Sequence, residues 1–186
     1  MSKSEKIKEV AIKLFAERGF DGTNIPLIAD NASVGTGTIY RYFESKENLL
    51  NIIMQEEMEK LKLALKDNLS EDKEIGILVK KLIHALLSYS ESNFYSIILI
   101  NSHNASLHID DNTRAVHYEL IDFISSITEL GREKGEIKKG LPTEIIVQLI
   151  FGAIVEITKG CNNGVNPLSN ELKSLIVEGL WKAIIN

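Results

Sequence analysis

Residues 23–49, TNIPLIADNASVGTGTIYRYFESKENL, constrain this chain more tightly than any other stretch. A short helix with apolar Ile25, Ile28 and Ala29 leads into a tight turn. A second short helix then packs through Ile39 and Tyr42 and carries Thr36, Thr38, Tyr40 and Arg41 on its other sides. Two short helices joined by a few residues form the shape that seats one helix in the major groove of duplex DNA. Gly37 lies inside the second helix, where glycine costs about 1 kcal/mol against alanine. Close approach of the backbone to a sugar-phosphate chain is a physical reason to accept that cost.

The same residues carry a family likeness. T-x-x-x-x-I-A at Thr23 to Ala29, G-T-I-Y-x-Y-F at Gly37 to Phe43 and S-K-E-x-L at Ser45 to Leu49 resemble the DNA-binding domain of TetR-type transcriptional regulators. Upstream, AIKLFAERGF at Ala11 to Phe20 is similar to the end of that family's first helix. The resemblance implies an operator-binding homodimer. It puts Thr23, Tyr40, Tyr42 and Lys46 at phosphates, and Thr36, Thr38 and Arg41 nearest to base edges; Tyr42 could equally be core. Two positions depart from the pattern. Ser33 stands in the turn where the family often has Gly, and only Gly takes a positive φ without cost. Gly35 with Thr36 replaces a common Ser-Lys pair, which changes what touches DNA.

Charge does not advertise nucleic acid, since the chain carries a net −5. Residues 1–50 balance seven Lys/Arg (Lys3, Lys6, Lys8, Lys13, Arg18, Arg41, Lys46) against seven Asp/Glu, so the whole excess lies downstream. DNA binding must therefore rest on local placement: a basic N-terminal arm, Arg41, Lys46 and helix N-termini aimed at phosphates. The composition, 44% hydrophobic and 25% charged, is that of a globular chain. The apolar runs around Ser96–Ile100 and Ile145–Ile157 are too short or too interrupted, by Gln148 and Glu156, to span a membrane. MSKSEKIKEV lacks the apolar stretch of a signal peptide, and the single cysteine, Cys161, fits a reducing compartment. A cytoplasmic protein is expected.

Periodicity predicts an all-α chain of about nine helices. The first runs over about 4–18, with Ile7, Val10, Ala11, Leu14 and Phe15 on one stripe and Gly19 as its stop. The second starts near Ile25, capped by Thr23 or Asn24, with Pro26 tolerated in its first turn. Helices follow over about 36–43, from 46 past Leu65, 74–89, 94–103, 111–134, 143–159 and 168–185, the last with Pro167 in its first turn. A three-helix DNA-binding head (1–47) is expected to precede a ligand-binding and dimerisation domain (48–186).

Chemistry-bearing side chains are sparse. His84, His103, His108 and His117 form neither an i, i+4 pair nor a Cys/His cluster. Cys161 beside two asparagines reads as a passive thiol. No nucleophile elbow, P-loop or dinucleotide glycine pattern occurs. No enzyme activity, metal or cofactor is expected.

The last two predicted helices are apolar around most of their circumference. Pairing across a two-fold axis through Ile150, Ala153, Ile157, Leu172, Ile176 and Leu180 would bury the excess. TetR-type proteins dimerise through their last two long helices, so the resemblance implies the same interface. Aliphatic residues on four consecutive helices predict an apolar effector cavity lined by Leu78, Leu82, Leu86, Ile98, His117, Ile121 and Ile154, with His117 or a nearby Tyr as polar anchor. GEIKKGLPTEIIVQLIFGAIVEIT is similar to the same region of acyl-CoA-responsive TetR-type regulators, which makes a long-chain acyl effector the leading reading. The combined expectation is a repressor that binds a palindromic operator as a homodimer and is released by a small, largely apolar effector. The alternatives are a DNA-binding regulator without a pocket, an activator, and a helical enzyme or carrier with a similar corner.

Overall fold

Ser2 opens the first helix through a capping box. Its hydroxyl accepts from the Glu5 N–H, and the Glu5 carboxylate accepts from the Ser2 N–H. From there helices follow at short intervals: α1 (Lys3–Arg18), α2 (Ile25–Ala32), α3 (Thr36–Tyr42), α4 (Lys46–Asp67), α5 (Ile75–Ser92), α6 (Phe94–His103), α7 (Asp111–Glu133), α8 (Thr143–Asn162) and α9 (Asn170–Ile184). The computed structural model describes residues 2–69, 74–103, 106–162 and 168–185. The expected place of Pro167 lies outside them, as do residues 70–73 and 163–167 of the expected loops. Among the described residues, the only pairing outside helices is an isolated antiparallel bridge between Ile137 and Ile185.

Of the start signals, one falls on an expected residue and one differs from expectation. Asn24, not Thr23, caps α2, with its side chain accepting from the Leu27 N–H at 2.9 Å. The last helix begins two residues later than expected, because Ser169 caps it by accepting from the Leu172 N–H. The basic arm is also absent as such: Lys3, Lys6 and Lys8 belong to α1, and Lys8 is paired with Glu56 at 2.6 Å.

Packing divides the chain into two units that are not consecutive in sequence. The first takes in residues 1–58 and 95–117, and the second 59–94 and 118–186, so α4 and α7 each contribute to both. In the first unit Ile7, Ala11, Leu14 and Phe15 of α1 are buried at the predicted spacing; α2 supplies Ile28 and Ala29, and α3 supplies Ile39. Ile39 is fully buried, and truncating such an isoleucine to alanine costs about 2–5 kcal/mol.

In the second unit α5 packs against both α8 and α9. A Cβ on Gly76 would meet Trp181 Cζ2 at 3.2 Å, so glycine there lets the indole lie close to α5. Farther along α5, a buried hydroxyl pair at 2.9 Å joins Ser90 to Thr158 of α8. Arg132 closes the α7–α8 connection by donating to Glu129, to Thr143 Oγ1 and to the Leu141 carbonyl.

Candidate DNA interface and effector cavity

The α2–α3 turn needs a left-handed residue, and Ser33 supplies it with φ 55° and ψ 47°. The geometry closes with the Ser33 N–H donating to Asp30 O and the Val34 N–H to Ala29 O. The departure from glycine therefore leaves the turn intact at a conformational cost carried by serine.

Helix α3 presents one broad polar arc. At 100° per residue, Thr36, Tyr40, Gly37 and Arg41 fall within less than half a turn, and all four are exposed. Ile39 and Phe43 point the other way and are buried. Thr38 sits half-buried at the edge. No heavy atom lies within 4 Å of where a Gly37 Cβ would stand. Nothing within the protein therefore demands glycine there.

Three sequence assignments need correction. Tyr42 does not pack α3 into the core: it is 43% exposed, under the Arg41 guanidinium, 5.2 Å from its ring centre, while Phe43 takes the buried position. The Thr23 side chain is not available to a phosphate, because it is fully buried and its hydroxyl donates to Leu14 O and Gly19 O. Lys46 is largely committed within the unit. Its ammonium donates to Phe20 O and Thr23 O, both at 2.9 Å, and stands 3.8 Å from the Phe20 ring centre. Two of its three donors are thereby used.

A turn with no local signal in the sequence for this position completes the unit. The His108 ring stacks on Phe20 with centroids 3.9 Å apart. His108 and Lys46 thus both bear on the Phe20 ring. Asn51 of α4, only 4% exposed, donates to His108 O at 2.8 Å and accepts from the Asp110 N–H at 2.9 Å. Gln55 donates to Thr113 Oγ1 at 2.7 Å. Behind the turn, burial of His103 against α1 holds its imidazole below the ordinary histidine value, and burial lowers that of His117 as well.

The second unit holds a partly open apolar cavity of about 50 Å³. Val79, Leu82, Ile83 and Leu86 of α5 form one wall, and Ile124, Ile127 and Thr128 of α7 another. Ile146, Val147, Ile150 and Phe151 of α8 close it, with Leu65 and Ile184 at its margins. Thr128 is the one polar lining residue, and its hydroxyl is used on Ile124 O of its own helix. Of the residues expected to line a cavity, Leu82 and Leu86 do so. Leu78, Ile121 and Ile154 do not, while Ile98 and His117 belong to the first unit. Ile150, expected at a dimer seam, is half-buried and also lines the cavity. A stripe at 120, 124, 127 and 128 on α7 carried the correct phase; taking His117 and Ile121 as the inward positions turned that face away.

Of the other residues expected at a dimer seam, Ala153, Ile157, Ile176 and Leu180 are half-buried and Leu172 is 45% exposed. Leu175 (63% exposed), Ile145 and Leu149 extend the apolar surface of α8 and α9 beyond the expected set. No group of His, Cys, Asp and Glu that could hold a metal ion occurs among the described residues. No helix among them is long and apolar enough to cross a membrane.

Comparison with known proteins bears on both units. Residues 7–53 match the sequence profile of bacterial regulatory proteins of the tetR family, and residues 54–186 match that of the tetracyclin repressor-like C-terminal domain. A fatty acid metabolism regulator protein of Bacillus subtilis (strain 168) is 27% identical over 184 residues, 94% of each chain. A TetR-family transcription regulator from Marinobacter aquaeolei VT8 superposes with a TM-score of 0.85 at 21% identity, over 99% of this chain and 96% of that one. The regulator FadR from Bacillus subtilis, solved in complex with stearoyl-CoA, superposes with a TM-score of 0.69 at 22% identity, over 96% and 95% of the two chains.

Proposed function

The chain belongs to the TetR family of bacterial regulatory proteins, and we propose that it is a homodimeric repressor released from a palindromic operator by a long-chain acyl effector. As a member of that family it is a transcriptional regulator and not an enzyme. We assign base reading to Thr36, Thr38 and Arg41, phosphate contact to Tyr40 and Tyr42, and backbone approach to Gly37, since among the described residues the side chains there make only ring contacts, Arg41 with Tyr42 and Tyr42 with Phe43. Exposed apolar residues on α8 and α9, Leu149, Leu172 and Leu175 among them, support a two-fold interface there. A DNA-bound regulator works in the cytoplasm.

The observation that carries the effector reading is the cavity's chemistry. Its walls offer hydrocarbon and no free hydrogen-bonding group, so the part of a ligand that enters must be an unfunctionalised chain. Its volume of about 50 Å³ is far below the roughly 300–1,000 Å³ of a small-molecule site. A chain of several carbons therefore fits only after α5, α7 and α8 part. A ligand that binds an expanded state better than the closed one shifts the equilibrium by that differential affinity, commonly about 1–3 kcal/mol. The name of the Bacillus subtilis relative and the stearoyl-CoA held by FadR support an acyl chain as that ligand.

The test uses an inverted-repeat duplex selected by the protein from a random pool. Stearoyl-CoA should raise Tm and release that duplex, whereas coenzyme A alone does neither. The small volume of the cavity favours one second reading, a regulator without effector. Operator binding that acyl-CoAs of all lengths leave unchanged would establish it.

A further inference from the structure

The turn at 106–110 sits in the same unit as the helix-turn-helix, although more than fifty residues of sequence separate them. Asn51 is the side chain that holds it. An asparagine amide offers a donor and an acceptor side by side, which matches the edge of a peptide segment. Here Nδ2 donates to His108 O at 2.8 Å and to Glu47 O at 2.9 Å, while Oδ1 accepts from the Asp110 N–H at 2.9 Å. Asp110 in turn caps α7 by accepting from the Thr113 N–H at 2.7 Å. One turn farther along α4, Gln55 donates to the fully buried Thr113 hydroxyl, which lies 3.5 Å from Asn51 O.

The other side of the turn reaches the DNA-reading helices. His108 stacks on Phe20, the Lys46 ammonium also lies against that ring, and Lys46 holds the carbonyls of Phe20 and Thr23. Asn24, the next residue, caps α2. A run of hydrogen bonds and ring contacts thus leads from Thr113 and Asn51 to the start of the helix-turn-helix, all within one unit.

We propose that Asn51 is a positioning residue for operator recognition: by locking the 106–113 segment to α4, it sets the pose of α2 and α3. The DNA-reading head then includes the start of α7 and does not stop near residue 47. The inference rests on the operator reading above.

The test compares wild type, Asn51→Asp, Thr113→Val and Thr113→Ser as dimers shown to be folded by circular dichroism and mass. Asn51→Asp sets a carboxylate against His108 O. Thr113→Val keeps shape but removes the hydroxyl, and Thr113→Ser restores it. The readouts are affinity for the selected duplex against a scrambled one, and amide exchange at residues 24–43 in the free protein. Asn51→Asp and Thr113→Val should lower the selected-to-scrambled ratio by roughly tenfold, about one lost hydrogen bond's worth. They should also speed exchange in 24–43, and Thr113→Ser should restore both. Should Asn51→Asp fail to fold, Thr113→Val carries the comparison. Folded variants with the wild-type ratio and wild-type exchange would overturn the proposal and leave the regulator reading standing. A wild-type protein that does not prefer the selected duplex would overturn the operator reading, and this inference with it.

Discussion

Replacing Gly37 by alanine separates what α3 does for the fold from what it does for DNA. Gly37 is the second residue of α3, and a Cβ built on it meets no heavy atom within 4 Å. The substitution therefore adds no clash in the free protein. Alanine improves on glycine by up to about 1 kcal/mol in a helix, less near a helix end, which corresponds to a rise in Tm of at most about 2–4 °C for a chain of this size. Gly22 is the internal contrast: its Cβ would lie 2.3 Å from Arg18 O, a backbone atom that cannot swing aside, so Gly22→Ala should lower Tm. On DNA the signs differ. If the α3 backbone approaches the duplex at Gly37, a methyl group there pushes it away and loses contacts worth about 1.4 kcal/mol, on the order of tenfold in Kd. Thermal unfolding and fluorescence anisotropy on the selected duplex measure the two effects separately. A Gly37→Ala protein that is as stable as wild type or more so, yet binds the duplex just as tightly, refutes the close approach.

Further outcomes follow from the same geometry. Ser33→Gly relieves a left-handed serine and should stabilise the protein by about 0.5–1 kcal/mol in urea unfolding, with operator affinity unchanged; a loss of stability would contradict the turn assignment. His103 and His117 are held below the ordinary histidine value, so the unfolded chain binds more protons than the folded one near that value. Stability should be fully present above about pH 6.5 and fall as pH drops below it, ahead of the carboxylate range, and His103→Gln should flatten the fall; a flat profile across that window would exclude it. Leu175 is 63% exposed in the single chain, so Leu175→Glu should leave the fold intact while weakening the dimer. Two symmetry-related leucines lose about 1.5–3 kcal/mol each, and light-scattering mass should show monomer where wild type is dimeric; an unchanged dimer would move the interface elsewhere.

The helices were legible because their signals are local. Ile7, Ala11, Leu14 and Phe15 announce the buried stripe of α1, and Gly19 announces its stop. The polar arc of α3 was legible for the same reason, save that adjacent Tyr42 and Phe43 could trade places until packing chose between them. The sequence was silent where partners are remote. Nothing in the string shows that Lys46 would find the carbonyls of Phe20 and Thr23, or that Asn51 would bind a turn beyond α6. The cavity was legible only in part, through Leu82 and Leu86. A helix as apolar as α8 offers several plausible inward faces, and the cavity takes Ile146, Val147, Ile150 and Phe151 rather than Ile154.

Sequence-specific recognition of an inverted repeat by α3 is the claim on which the rest depends. The direct measurement is a binding titration of wild type and Arg41→Ala on the selected duplex and on a scrambled one, at physiological salt. Wild type should prefer the selected duplex by about a thousandfold or more, the range of specific DNA-binding proteins. Arg41→Ala should lose about 1–3 kcal/mol and relax selection at one base position in each half-site. A pool from which the wild-type protein enriches no inverted repeat, or equal affinity for selected and scrambled duplexes, would contradict the account.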